Sequence, residues 1–234
     1  MKTGYLLIAD ILGFSNIVKN VPNEKLDERM NDWTSLIKNL GNEHGFTDYQ
    51  LLSDTLFLSV DGSDNETFEK LIYYCQDLLS RGLKKSLPIK GALTYGDYEW
   101  GDFIYGKAII DGHEIESNQN WIGITLKNDI PNTKSHWSPN KIICYPPPMK
   151  GGKIQLYPVI AWTIPDYNTF IKQAVGGGLT KEGDLLNWSW AEKMRNTIEF
   201  KIYLDILKKD NHTGEYFCYM MPMEVISAFV DKTP

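Results

Sequence analysis

Tyr5-Leu6-Leu7-Ile8-Ala9-Asp10-Ile11-Leu12-Gly13-Phe14 is the stretch whose reading decides the fold. The run from Tyr5 to Ile11 is short, apolar and β-compatible, and Gly13 marks a turn just after it, which predicts a buried strand. Its one acidic member is Asp10. A carboxylate on an otherwise apolar strand is costly unless it is paired, hydrogen-bonded or bound to a cation, so Asp10 needs a partner. Taken alone, it could equally cap a helix starting near Phe14 or Ser15.

Downstream, Leu26, Met30, Trp33, Ile37 and Leu40 recur at helical spacing, with Pro22 or Asn23 as the start and Gly41 and Gly45 as the close. Two apolar stretches between Phe46 and Val60 flank Ser53-Asp54-Thr55, a tight hairpin with a polar tip in which Asp54 alone would be an ordinary turn residue. Phe68, Leu71, Ile72, Cys75, Leu78 and Leu79 form a second helical stripe, capped by Asp64 or Asn65 and ending near Gly82, with Lys84 and Lys85 suited to its C-terminal end. Pro88 opens a strand over residues 89–95. A further strand is expected at 102–105 and a helix at 107–116. The order strand, helix, strand, strand, helix, strand predicts an α+β fold of the ferredoxin-like, split βαβ kind. Beyond Trp121, a strand near 122–124, a hairpin of 141–145 with 153–162, a loop or lid at Gly176-Gly177-Gly178 and a helix over 188–207 are expected. We therefore divide the chain into a core of residues 1–125 and a C-terminal part of the same domain, 126–234, that covers the sheet or shapes a dimer.

The chain has 234 residues, 42% hydrophobic and 23% charged, enough for one sizeable folded domain. A net charge of -6 offers no general footprint for nucleic acid or an anionic membrane, so neither partner is expected. Cys75, Cys144 and Cys218 are odd in number and widely spaced without a CxxC pair. That suggests neither a disulfide framework nor a zinc site, and reduced core thiols are expected. The apolar N-terminal run meets Asp10 too early for a signal peptide or a membrane span, which favours a cytoplasmic location. His44, His113 and His136 have no metal-ligand spacing, and His113 is expected on a helix surface.

In a split βαβ sheet the first strand lies beside the hairpin, so Asp10 and Asp54 can meet. Two carboxylates with a neighbouring backbone carbonyl suit a pair of hard cations, Mg²⁺ or Mn²⁺. The turn Leu12-Gly13-Phe14-Ser15, entering a helix, would set backbone N–H groups against phosphate oxygens.

At this point the residues resemble a known family. Ala9-Asp10-Ile11-Leu12-Gly13-Phe14 is similar to the metal-binding signature of class III nucleotide cyclases, and Leu51-Leu52-Ser53-Asp54-Thr55-Leu56-Phe57 to their second metal aspartate in its hairpin. Ile89 to Asp97, followed by Ile104-Tyr105-Gly106-Lys107-Ala108, resembles the central strand and the glycine that opens the next helix. These motifs stand in the family's order over roughly residues 4–124, and the ordered set is more specific than any one of them.

The resemblance implies a homodimer with active sites at the interface. Asp10, the Ile11 carbonyl and Asp54 would hold two metal ions in one subunit; the other would supply base-reading and transition-state groups. The implied reaction is attack of a nucleoside triphosphate's 3′-hydroxyl on its α-phosphate with loss of pyrophosphate. Gly13, Phe14 and Ser15 would contact the substrate phosphates. Where adenylate cyclases carry a lysine and an aspartate to read adenine, this chain has Gln50 and Phe103, and where the next helix should carry an asparagine and an arginine it has Ile110 and Glu114. Lys107, Lys90 and Arg195 are the candidates for the missing cation, Lys107 first. The helix from Lys107 to Glu116 resembles that of the pyrimidine cyclases of bacterial Pycsar antiphage systems, which implies UTP or CTP as substrate, a pocket walled by Phe103, Tyr49 or Trp100, and a separate cyclic-nucleotide-sensing effector. A purine cyclase with altered base contacts, and a degenerate cyclase fold kept as a nucleotide-binding or dimerisation module, are the alternatives.

Overall fold

The computed structural model describes residues 1–20, 22–152, 154–175 and 188–213. At its centre is β1 (Lys2–Ile11), which pairs antiparallel with β3 (Thr55–Asp61) on one side and β4 (Ile89–Tyr98) on the other. β2 (Tyr49–Leu52) completes the hairpin with β3. The order β2-β3-β1-β4 is that of the expected split βαβ core. β1 is apolar from Tyr5 to Ala9 because both its faces are covered there. Tyr5, Leu7, Ala9 and Ile11 enter the main core, while Leu6 and Ile8 enter a smaller cluster on the opposite face with Tyr98 and Ala108.

α2 (Asn23–His44) and α3 (Asn65–Lys84) contribute Trp33, Leu36, Ile37 and Leu40, and Phe68, Leu71, Ile72 and Cys75, to the main core. Asp64 caps α3, its carboxylate accepting from the Thr67 N–H at 2.8 Å. Gly41 does not end α2. It lies inside the helix, where a Cβ would stand 2.5 Å from the Phe46 carbonyl, and Gly45 in the left-handed region is the terminator. α1 (Phe14–Asn20) follows the first strand, and α4 (Lys107–Asn118) covers the second face.

The strand expected at 102–105 is absent. Glu99 and Tyr105 form only an isolated bridge, with Gly101, Asp102 and Phe103 looped out between them. Past α4 the sheet continues without a break through β5 (Gly123–Leu126), β7 (Tyr157–Ile160) and β6 (Ile142–Tyr145). β5 lies parallel to β4, which α4 makes possible as the crossover. α5 (Tyr167–Val175) was not expected, although Asp166 at its start and the buried Phe170 and Ala174 one turn apart signal it. α6 (Trp188–Asp210) buries Trp190, Met194, Phe200 and Leu204 in the main core, and its Thr197 hydroxyl accepts from the Ile122 N–H at 2.9 Å.

Cys75 is a buried free thiol, as expected. Cys144 is disulfide-bonded, which corrects the expectation of a reduced side chain; spacing along the chain carries no information on what the fold brings within reach. The glycine loop at 176–178 and Cys218 lie outside the described residues.

Candidate active site

Asp10 sits one residue before the end of β1, paired in register with Thr55 on β3 and Lys90 on β4. It shares the face of Leu6 and Ile8, under α4. Its Oδ1 accepts a hydrogen bond from the Thr55 hydroxyl at 3.2 Å, so the side chain is engaged across the sheet rather than as a cap of α1. Ser53 and Asp54 form the two-residue turn of the β2–β3 hairpin, with Ser53 held in the left-handed region at φ 59°. That turn brings the Asp54 carboxyl within hydrogen-bonding reach of Asp10.

The electrostatics follow from this crowding. Burial first, then the Asp54 charge and its hydrogen bond, then the Glu116 charge, push the Asp10 carboxyl up to about 7, while Lys90 pulls the other way. A half-buried pair of carboxylates that repel one another, in an oxygen-only donor set, fits a hard divalent cation, whose charge would cancel the repulsion. Ile11, which would lend its carbonyl, is buried and adjacent. The Leu12 N–H donates to the Pro88 carbonyl at 2.8 Å, and Gly13 (φ 79°) turns the chain into α1. Phe14 packs against the core, and Ser15 is exposed.

Gln50 stands in register with Phe57, which stands in register with Ile8, so it shares the Asp10 face. Its amide nitrogen donates to the Gly101 carbonyl at 2.8 Å, joining it to the loop that carries Phe103. Phe103 is 80% exposed. Trp100 is tied to Asp48 by its indole N–H at 2.6 Å and packs edge-to-face on Tyr98. Tyr49 packs against the main core on the other face, so it does not wall a pocket with Gln50.

The candidate cations are dispersed. Lys107 is exposed at the start of α4, directly after Gly106, where a Cβ would meet the Asp97 carbonyl and Tyr98 Cα at 2.6 Å each. Arg195 is exposed on α6, between Glu192 and Glu199. Lys90 is buried, its Nζ 2.5 Å from Glu116 Oε1 and donating to the Glu116 carbonyl at 3.1 Å. Glu116 is the residue the sequence reading missed as a partner. Ile110 is exposed, as is Glu114, which borders a cleft of about 440 Å³ that also contains Asp111, Lys127, Lys150 and Tyr157.

Among the described residues, Glu43, His44 and Asp77 lie close enough to share an ion. The Arg81 guanidinium already fills that position, 2.7 Å from Glu43 and 3.2 Å from Asp77. His113 is exposed, as expected, and His136 is buried, its Nδ1 within 3.1 Å of the Asn132 carbonyl and the Ser135 hydroxyl. No described helix is long and apolar enough to cross a membrane.

No protein-family model and no curated protein matches the sequence. Solved structures match it in fold. A bacterial light-regulated adenylyl cyclase aligns with a TM-score of 0.51 at 14% identity, over 75% of this chain and 98% of that one. An adenylyl cyclase from P. aeruginosa gives 0.50 at 16% identity, over 68% and 94%. A dimeric guanylyl cyclase domain of a fusion protein from the aquatic fungus Blastocladiella emersonii gives 0.53 at 16%, over 68% and 96%. The mixed α+β architecture of this chain is therefore that of cyclase catalytic domains.

Proposed function

We propose that this chain is a metal-dependent nucleotidyl cyclase, and the observation that carries the reading is the convergence of Asp10 and Asp54 at one end of β1 and β3 on a fold shared with adenylyl and guanylyl cyclases. Two bound divalent cations, Mg²⁺ or Mn²⁺, would supply a lowered pKa for the ribose 3′-hydroxyl and charge neutralisation for the in-line displacement at the α-phosphate. Asp10, Asp54 and the Ile11 carbonyl are the groups that would hold them. Gly13, Phe14 and Ser15 follow at the turn, where N–H groups not yet taken by the helix are free to donate to phosphate oxygens.

A second copy of the chain completes the site in this reading. Phe103, Tyr105 and Ile110, at and just before α4, are 80%, 57% and 68% exposed, which supports a face that another subunit covers. Lys107, at the head of that helix, is the exposed cation on the same face. Lys127 and Lys150 stand beside Glu114 in the cleft, where Lys127 is paired with Asp111 at 2.8 Å and Asp129 at 3.2 Å.

UTP or CTP is the favoured substrate. With its nitrogen committed to Gly101, Gln50 presents its carbonyl oxygen as an acceptor, which suits the N3–H of uracil or the exocyclic amine of cytosine. A purine substrate is the second reading, because the fold neighbours named above are adenylyl and guanylyl cyclases. The cyclic pyrimidine nucleotide would act on a separate sensing effector in an antiphage response.

The test is incubation with an equimolar mixture of the four triphosphates and Mn²⁺, followed by mass-spectrometric identification of the product. Cyclic UMP or cyclic CMP is expected. Cyclic AMP or cyclic GMP as the main product would overturn the base assignment, and tight nucleotide binding without turnover would replace the enzyme with a nucleotide-sensing module.

A further inference from the structure

Lys90 faces Asp10 across adjacent strands, on the same side of the sheet. An ammonium next to a half-buried carboxylate should pair with it. Among the described residues no ion pair joins the two; the Lys90 Nζ lies 2.5 Å from Glu116 Oε1 instead, with both side chains at least nine-tenths buried. We propose that Glu116 is a positioning residue of the metal site: it holds the Lys90 ammonium off Asp10 and so leaves that carboxylate free for the cation. This rests on the metal reading given above.

The local sequence explains how Glu116 reaches that place. Ala108, Gly112 and Glu116 are spaced four apart and form the buried face of α4. Gly112 allows the close approach, since a Cβ there would stand 2.9 Å from Ile8 Cδ1. The Thr94 hydroxyl donates to the Ala108 carbonyl at 2.9 Å, and the Gln119 amide donates to the Gly91 carbonyl at 2.7 Å, so both ends of the helix are tied to β4. Gly91 is the neighbour of Lys90. The helix is thereby fixed to the strand that carries the lysine, and Glu116 comes down beside it.

The consequence is a competition. Asp54 and Glu116 both repel the Asp10 carboxylate, and the Lys90 ammonium that would offset them is paired with Glu116. Without Glu116, Lys90 would be a buried charge with no counterion, and Asp10 is the acceptor one strand away. A Lys90–Asp10 pair would occupy the oxygens that a divalent cation needs.

The experiment is Mn²⁺ titration of the full-length protein without nucleotide, free Mn²⁺ being read by electron paramagnetic resonance, with circular dichroism as the control for folding. Wild type should bind Mn²⁺, and Asp10→Asn should abolish that binding. Glu116→Gln should weaken it about 10- to 100-fold, the range for residues that orient metal ligands. Glu116→Gln combined with Lys90→Met, which removes the competitor, should restore wild-type binding. Unchanged binding by Glu116→Gln, or a double variant as weak as the single one, overturns the proposal. If Glu116→Gln does not fold, Glu116→Asp, which keeps the charge but shortens the reach to Lys90, takes its place with the same directions. Wild type that binds no Mn²⁺ at Asp10 would overturn the metal reading itself and this proposal with it, a result distinct from tight wild-type binding with an unaffected variant.

Discussion

Asp10 and Lys90 are register partners on neighbouring antiparallel strands, yet the lysine ammonium is committed to Glu116, 26 residues further along the chain. The pair meant to be nearest in the sheet is thus split by a helix side chain. Asp10 is left facing Thr55 and Asp54, and its carboxyl carries the consequence of two like charges in a poorly solvated corner.

Removing Asp54 should separate chemistry from folding. Asp54→Ala is expected to lower product formation about a hundredfold or more, the scale for loss of one charge-stabilising group. The turn keeps Ser53 as its left-handed residue, so the thermal midpoint should hold. Product assay and calorimetry on the same preparation check both halves; full turnover would end the metal assignment.

The Asp10 carboxyl also gives a pH signature in metal-free protein. Its ordinary value is 3.8 and the folded state raises it to about 7, so between these values the native state holds the proton more tightly than the unfolded chain. This contribution therefore falls as pH rises from about 4 to about 7 and stays lost above that. Melting curves in chelator should show Asp10→Asn gaining on wild type across that window, and saturating Mn²⁺ should narrow the gap.

Gly112→Ala should be destabilising although alanine is the better helix former. The added methyl meets Ile8 Cδ1 at 2.9 Å, an overpacking cost of about 1–3 kcal/mol that exceeds the helix gain of about 0.5–1 kcal/mol. Urea unfolding measures it.

Gln119 is fully buried, with both ends of its amide engaged. Its oxygen accepts from Trp121 Nε1 and the Thr125 hydroxyl, both at 2.8 Å, and its nitrogen donates to Gly91 at 2.7 Å. Gln119→Leu leaves three buried polar groups without partners and should cost about 3 kcal/mol or more in the same unfolding measurement.

The base assignment can be reversed by design. Gln50→Lys with Phe103→Asp would recreate the charged pair that adenylate cyclases use to read adenine. The ratio of ATP to UTP turnover should rise, measured with both triphosphates in one reaction. An unchanged ratio would show that Gln50 and Phe103 do not read the base.

Much of this fold is legible in the sequence, because β1, the hairpin and α3 each announce themselves through local pattern. The apolar run ending at Asp10, the polar Ser53-Asp54 tip and the stripe from Phe68 to Leu79 need no tertiary information. What escapes is whatever depends on two distant segments. The Lys90–Glu116 pair is invisible until α4 is seated, and its one trace in the sequence is Gly112, a glycine mid-helix four residues before an acid. Tyr49, one of three aromatic residues the sequence offers as a pocket wall, belongs to the opposite face, since strand parity follows from the hairpin register and not from proximity to Gln50. The strand expected at 102–105 does not form, because residues 101–103 loop out and Gly101 and Asp102 are poor strand formers.

The central place of β1 bears on how the chain must fold. Its partners lie far ahead of it: Gly4 pairs with Asp61, and Thr3 with Asp97. Contacts this distant in sequence close slowly and form only after the intervening helices are available. During synthesis, Asp10 leaves the ribosome more than a hundred residues before Glu116, whose charge contributes to its surroundings in the folded chain. A chain arrested before α4 would expose the apolar strand of Tyr5 to Ile11 on one face, a state in which aggregation competes with completion of the sheet.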